Sequence, residues 1–210
     1  EKEGATMFFK DFAAVYLADF AARYKESALE TKKHILRTKL LPYFGKRRIC
    51  DITASDIRKW QNNMMGKGFS PTYLRLINSQ LSALFNFAVK YYGLRDNPCK
   101  RAGSMGKSRA DEMLFWTRDE FMTFIEGART NPTYYMIFQT LYWTGLREGE
   151  FLALTPADID FENRSISVTK SYQRLKSRDI VSTPKTAKSK RIVSIPEFLC
   201  SELKEYVQDM

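Results

Sequence analysis

A single histidine, His34, occurs in 210 residues, so no catalytic or metal site that needs several imidazoles can be built from this sequence. His34 stands among basic residues of an expected helix and reads as a solvated helix position. The three cysteines, Cys50, Cys99 and Cys200, are far apart and odd in number, with no C-x-x-C pair. That spacing supports neither a disulfide framework nor a zinc site and leaves them as reduced thiols. No apolar run approaches the roughly 20 residues that cross a bilayer. The charged opening Glu1-Lys2-Glu3 is unlike a signal peptide. The expectation is a soluble, cytoplasmic protein with no membrane, metal or cofactor requirement.

What is present is charge, unevenly placed. The net charge is +10 and 44% of residues are hydrophobic, enough for one large or two small cores. Residues 1–110 carry 21 Lys and Arg against 9 Asp and Glu, whereas residues 111–210 carry 13 against 15. Within the acidic half, 170–191 is again basic, with Lys170, Arg174, Lys176, Arg178, Lys185, Lys188, Lys190 and Arg191 against Asp179 alone. Two separate basic surfaces call for a polyanion such as double-stranded DNA. Lysines that served only solubility would be spread more evenly.

Apolar spacing of three and four over 7–24 (Phe8, Phe9, Phe12, Val15, Tyr16, Phe20) predicts a helix. Ser27-Ala28-Leu29-Glu30 reads as a capping box opening a second helix toward Leu41, ended by Pro42 and Gly45. A third helix should follow Ile52-Thr53, and a fourth should start at Ser70-Pro71 and run to Gly93. The stretch 97–112, rich in Gly, Ser and basic residues, reads as a linker, giving domains 1–96 and 113–210. Beyond it, Thr117-Arg118-Asp119-Glu120 is another capping box, and Asn131-Pro132 opens a helix whose Tyr134, Tyr135, Phe138 and Tyr142 should be core. The period then changes. Segments 165–169 and 191–195 alternate as strands do, predicting a small antiparallel sheet with the basic stretch at its tip, and Pro196 opens a last helix. The fold class expected is mainly α with a small antiparallel sheet.

Two motifs carry chemistry. Thr144-Gly145-Leu146-Arg147-Glu148-Gly149-Glu150-Phe151-Leu152-Ala153-Leu154 resembles the TGLR-x-x-E signature of tyrosine recombinases of the phage-integrase type. Lys185-Thr186 through Ser189-Lys190-Arg191-Ile192 to Pro196 is similar to that family's KT-x-x-S-x-R-x-I-P hairpin. Softer similarity to integrase core-binding domains lies in Tyr43-Phe44-Gly45, Ile52-Thr53, Ser70-Pro71 and Asn97-Pro98.

The resemblance implies a four-helix, SAM-like core-binding domain followed by part of a mixed α/β catalytic domain. It makes Arg147 the first catalytic arginine, whose planar fork can give two hydrogen bonds to a phosphate. Glu150 is then the supporting acid and Lys185 the lysine that protonates the departing 5′ oxygen, with Lys188 and Lys190 as competitors for that role. Arg37, Lys39 and Arg75, on helices the resemblance places at DNA, and Lys170, Arg174 and Lys188 in the second basic stretch are the expected DNA contacts. The family's H-x-x-R element, its later His or Trp and its nucleophilic tyrosine would lie beyond Met210, and Tyr206 reads as an ordinary helix residue. The implied enzyme breaks and rejoins DNA through a 3′-phosphotyrosine link, integrates or excises a mobile element, and works as a homotetramer on attachment sites. Three other readings stand beside it. One is a binding-only relative that regulates at DNA sites. A metal-dependent nuclease using Asp158, Asp160 and Glu162 is the second. In the third, Arg147 and Glu150 form nothing more than an i, i+3 surface ion pair.

Overall fold

A computed structural model describes residues 4–109, 112, 114–183 and 189–209, which separate into two units, Glu1–Met113 and Leu114–Met210. The first is all-helical: α1 (Phe9–Arg23), α2 (Glu26–Ile35), α3 (Leu41–Phe44), α4 (Ala54–Met65), α5 (Pro71–Tyr91) and α6 (Pro98–Ala102). Its core gathers Phe9, Phe12 and Tyr16 of α1 with Ile35, Phe44, Ile57, Trp60, Leu81 and Phe85, all buried. Thr53 and Asp56 close a reciprocal capping box at α4, and Ser70 accepts from the Tyr73 N–H at α5, so these two starts follow from local side-chain chemistry.

Three expectations for this unit need correction. Ser27 does not cap the second helix: α2 begins at Glu26 after Lys25, with no side-chain cap. Nor does Pro42 end it. The chain passes from α2 through a π-helical stretch, Leu36–Leu40, directly into α3, where Pro42 occupies the first turn and Leu41 N–H reaches back to Leu36. The proline lacks an N–H to continue the ladder, and the switch to π-helical bonding just before it is where the chain accommodates that loss. The stretch 97–112 is likewise not a linker throughout. Asn97 caps α6, and Cys99, Ala102 and Met105 are buried in the first unit's core. Three apolar side chains within a basic, glycine-rich segment are enough to dock it.

The second unit holds α7 (Arg118–Ala128), α8 (Pro132–Thr144), α9 (Glu148–Phe151), then β1 (Ile159–Asp160), β2 (Ser165–Val168), β3 (Ser171–Leu175), β4 (Arg178–Ser182), β5 (Arg191–Ser194) and α10 (Glu197–Gln208). The two expected strands are neighbours: β2 lies antiparallel between β1 and β5, with Val168 opposite Arg191. Ile166 and Val168 of β2 pack with Ile195 and with Leu199, Cys200 and Leu203 of α10. The basic stretch is more than a tip, since β3 and β4 form a separate hairpin whose turn residues Lys176 and Ser177 both have positive φ. That turn was illegible because Asn and Gly usually mark it. Of the α8 aromatics expected in the core, Tyr135 packs there, whereas Tyr134 and Phe138 are exposed. All three cysteines are free, and among the described residues no helix is long and apolar enough to cross a membrane.

Candidate nucleic-acid and catalytic site

Gly145 ends α8 in the left-handed region (φ +61°), a conformation that a Cβ would strain. The chain thereby turns just before the buried Leu146 and delivers Arg147 immediately before α9. Glu150, one turn on, is buried and gathers four hydrogen bonds. Arg147 gives two, from its backbone N–H to Oε2 (3.0 Å) and from Nη1 to Oε1 (2.8 Å). Arg191, at the start of β5, gives a bidentate pair, Nη1 to Oε1 (3.0 Å) and Nη2 to Oε2 (2.8 Å). The Arg191 hydrogen bonds, joined by those of Arg147, overcome the cost of burial and hold the Glu150 carboxyl down at about 2, ionised at any working pH.

The three members differ in exposure. The side chain of Glu150 is 7% exposed and that of Arg191 33%, but that of Arg147 is 78% exposed. Of the Arg147 guanidinium nitrogens only Nη1 meets Glu150 among the described residues, so in this largely exposed side chain Nε and Nη2 are left for a phosphate to accept from. The i, i+3 pair is therefore real, but its carboxylate is the buried hub of a three-residue arrangement, which an isolated surface pair is not. The backbone N–H of Arg147, the residue before the four-residue α9, is already taken by Glu150, and a helix of a single turn makes no anion site by itself.

Close approach holds α9 in place. A Cβ on Gly149 would lie 2.6 Å from the Tyr172 carbonyl oxygen and 2.8 Å from Ser171 Oγ, both on β3. Gly149→Ala is expected to push α9 off β3 and cost about 1–3 kcal/mol of stability. Thermal unfolding would measure this, and an unchanged melting temperature would mean that the backbones are free to separate.

Of the other expected site residues, Lys170 is half-buried and tied to Asp158 (2.7 Å) and the Thr155 hydroxyl (3.3 Å). Its charge is thus partly spent inside the unit. Arg174 is exposed on β3 with Asp179 at 3.9 Å. Lys185 and Lys188 lie outside the described residues, between β4 and β5; Lys190 is exposed. Asp158 and Asp160 are engaged in local bonds, Asp158 with Thr155 and Lys170 and Asp160 with Asn163 and the Glu162 N–H, which leaves little for the nuclease reading. Tyr206 sits in α10 with its hydroxyl on Thr133, as an ordinary helix residue does.

In the first unit, Arg37 is exposed in the π-helical stretch and lines a groove of about 600 Å³ with Lys10, Lys33 and His34. Lys39 lays its ammonium 4.4 Å over the Phe69 ring. Arg75 is exposed on α5, bonds Ser104, and shares a polar groove with Ser79, Ser82, Asn86 and Lys100. The sequence reading assigned no role to Arg191. The signal was available, since Arg191 is the arginine of the S-x-R-x-I-P motif, but nothing local points to a partner 41 residues earlier.

Comparison with known proteins finds relatives along nearly the whole chain. Residues 8–65 match the family "Phage integrase, N-terminal SAM-like domain". The ICEBs1 integrase of Bacillus subtilis (strain 168) is 32% identical over 206 residues, covering 98% of this chain and 56% of the relative. The chain thus spans about half the length of the curated relatives it matches. In fold, it matches the Tn1549 transposon integrase in complex with a circular intermediate DNA with a TM-score of 0.83 at 22% identity, over 98% of this chain and 66% of that one. A lambda integrase tetramer bound to a Holliday junction matches with a TM-score of 0.68 at 19% identity, over 85% and 51%. With motif, fold and relatives in agreement, the chain belongs to the phage-integrase family of tyrosine recombinases.

Proposed function

We propose that this chain is the DNA-engaging and phosphate-activating part of a site-specific recombinase that integrates or excises a mobile element. The observation that carries the reading is the Glu150 hub, which holds Arg147 at the surface with unused donors. In the complete reaction a tyrosine oxygen attacks a backbone phosphorus, the bond to the 5′ oxygen breaks, and the 3′ phosphate stays on the tyrosine. Arg147 stabilises the charge that grows on the non-bridging oxygens, and Lys185 gives its proton to the leaving oxygen. The phosphodiester energy stays in the protein link, so rejoining needs no ATP, and the reading calls for no metal and no cofactor. Within the domains proposed above, residues 1–96 and the basic segment after β2 grip duplex DNA through Arg37, Lys39, Arg75, Lys170, Arg174 and Lys188. By analogy with the solved relatives, four copies assemble on attachment sites, in the cytoplasm where that DNA lies.

The first test is binding. The 210-residue protein should bind duplex DNA with an affinity that falls roughly 10³-fold between about 50 and 200 mM salt, as counterions are released from several phosphates. An affinity that stays flat across that range would overturn the reading.

A further inference from the structure

Arg191 does more than fill a motif position. It takes both oxygens of the Glu150 carboxylate in a bidentate pair, while the side chain of Arg147 takes one of them, through Nη1, beside the bond from its own backbone N–H. Glu150 is nearly closed to solvent, so its partners cannot be replaced by water. Two arginines sharing one carboxylate compete for it. The one with the paired fork is Arg191, anchored in β5 by its register against Val168. The one left with a single side-chain contact is Arg147, at the exposed end.

We propose that Arg191 is a positioning residue: by occupying the Glu150 carboxylate it prevents Arg147 from closing its own fork on Glu150, and so keeps Nε and Nη2 of Arg147 presented to a DNA phosphate. This rests on the reading of Arg147 as a phosphate-binding arginine. The same contact ties the strand that follows the Lys185 segment to the turn that carries Arg147, so one carboxylate sets the position of the Arg147 turn and of the strand after Lys185. With Arg191 gone, the geometry leaves Arg147 and Glu150 free to form an i, i+3 bidentate pair, and the outward donors are lost to it.

The test uses the 210-residue protein and a mixed-sequence DNA duplex, comparing Arg147→Ala, Arg191→Lys and the double variant in affinity and in salt slope, with unfolding temperature as a control. Lysine at 191 keeps the charge of β5 but cannot span both carboxylate oxygens. Arg191→Lys should match Arg147→Ala, each losing about three- to tenfold in affinity and about 0.9 in salt slope, the equivalent of one phosphate. The double variant should be no weaker than either single, because both remove the same contact. A direct DNA contact by residue 191 would leave the lysine variant near wild type, and a separate effect on binding would make the losses multiply; either result overturns the proposal. Arg191→Lys is expected to lower the unfolding temperature somewhat, but a folding defect that accounted for the lost binding would weaken the Arg147→Ala background as well, which also overturns it. If Arg147→Ala itself binds like wild type, the phosphate reading of Arg147 falls, and the role of Arg191 with it. A loss confined to Arg147→Ala removes only the Arg191 proposal.

Discussion

Arg147→Ala is expected to slow formation of a covalent protein–DNA adduct by about 10²- to 10³-fold, equivalent to about 2.7–4 kcal/mol, in a protein that joins these residues to the family's C-terminal elements. A phenol with an ordinary pKa of about 10 is a poor nucleophile at neutral pH, so the phosphate must be made electrophilic by donors already in place. Arg147 is the donor proposed for this role, tied to Glu150 through Nη1 and its own backbone N–H in a side chain that is otherwise largely exposed. Arg147→Lys should recover little, because an ammonium keeps the charge and loses the planar fork. The readout is adduct formed on labelled DNA and resolved under denaturing conditions. Adduct formed by the alanine variant at close to the wild-type rate would remove Arg147 from the chemistry. The 210 residues alone, with no residue matching the H-x-x-R element or the nucleophile, should bind DNA and form no adduct.

The second large effect is on stability and its dependence on pH. Glu150 titrates at about 2 in the folded protein against an ordinary value of 4.5, chiefly because of the hydrogen bonds from Arg191, joined by those from Arg147. A carboxyl held below its unfolded value stabilises the fold only while ionised. Its contribution, about 3 kcal/mol for a shift of this size, should be complete above about pH 5, shrink as pH falls through 4.5, and be gone near pH 2. Glu150→Gln should therefore cost about 3 kcal/mol at neutral pH and converge with wild type in acid. In the first unit Asp56 is also lowered to about 2, mainly by Arg47 with help from Thr53, so the wild-type protein loses stability across the same window from a second source. Comparing the two proteins at each pH removes that common part. A constant difference from pH 7 down to pH 2, measured by denaturant unfolding, would mean that the charge of Glu150 contributes nothing.

Much of the fold was legible because its signals are local. The capping boxes Thr53–Asp56 and Thr117–Glu120, the prolines after Ser70 and Asn131, and the apolar spacing of α1, α4 and α5 each act within a turn or two of chain. The alternation in 165–169 and 191–195 was enough to find two strands that pair. The motif around Arg147 and Glu150 was equally plain, since residues three apart on a helical turn must meet.

Where local signals conflicted with packing, packing decided. Ser27 offered a cap that α2 did not use. Pro42, a helix breaker in isolation, was absorbed after a π-helical stretch. The glycine-rich stretch after Asn97 was drawn into the core by Cys99, Ala102 and Met105. The β3–β4 hairpin turns on two residues, neither of them glycine, that adopt positive φ, and no composition rule marks it. The largest part left to tertiary structure is the site itself. Residue types and spacing along the chain determined that an arginine and a glutamate would share a turn. Which of them would be buried, and that Arg191 would reach Glu150 from a strand 41 residues on, depended on the register of β5 against β2 and on the approach of α9 to β3 at Gly149. A carboxylate becomes a buried hub only when distant backbones close around it, and that closure is a property of packing, which no short window of sequence contains.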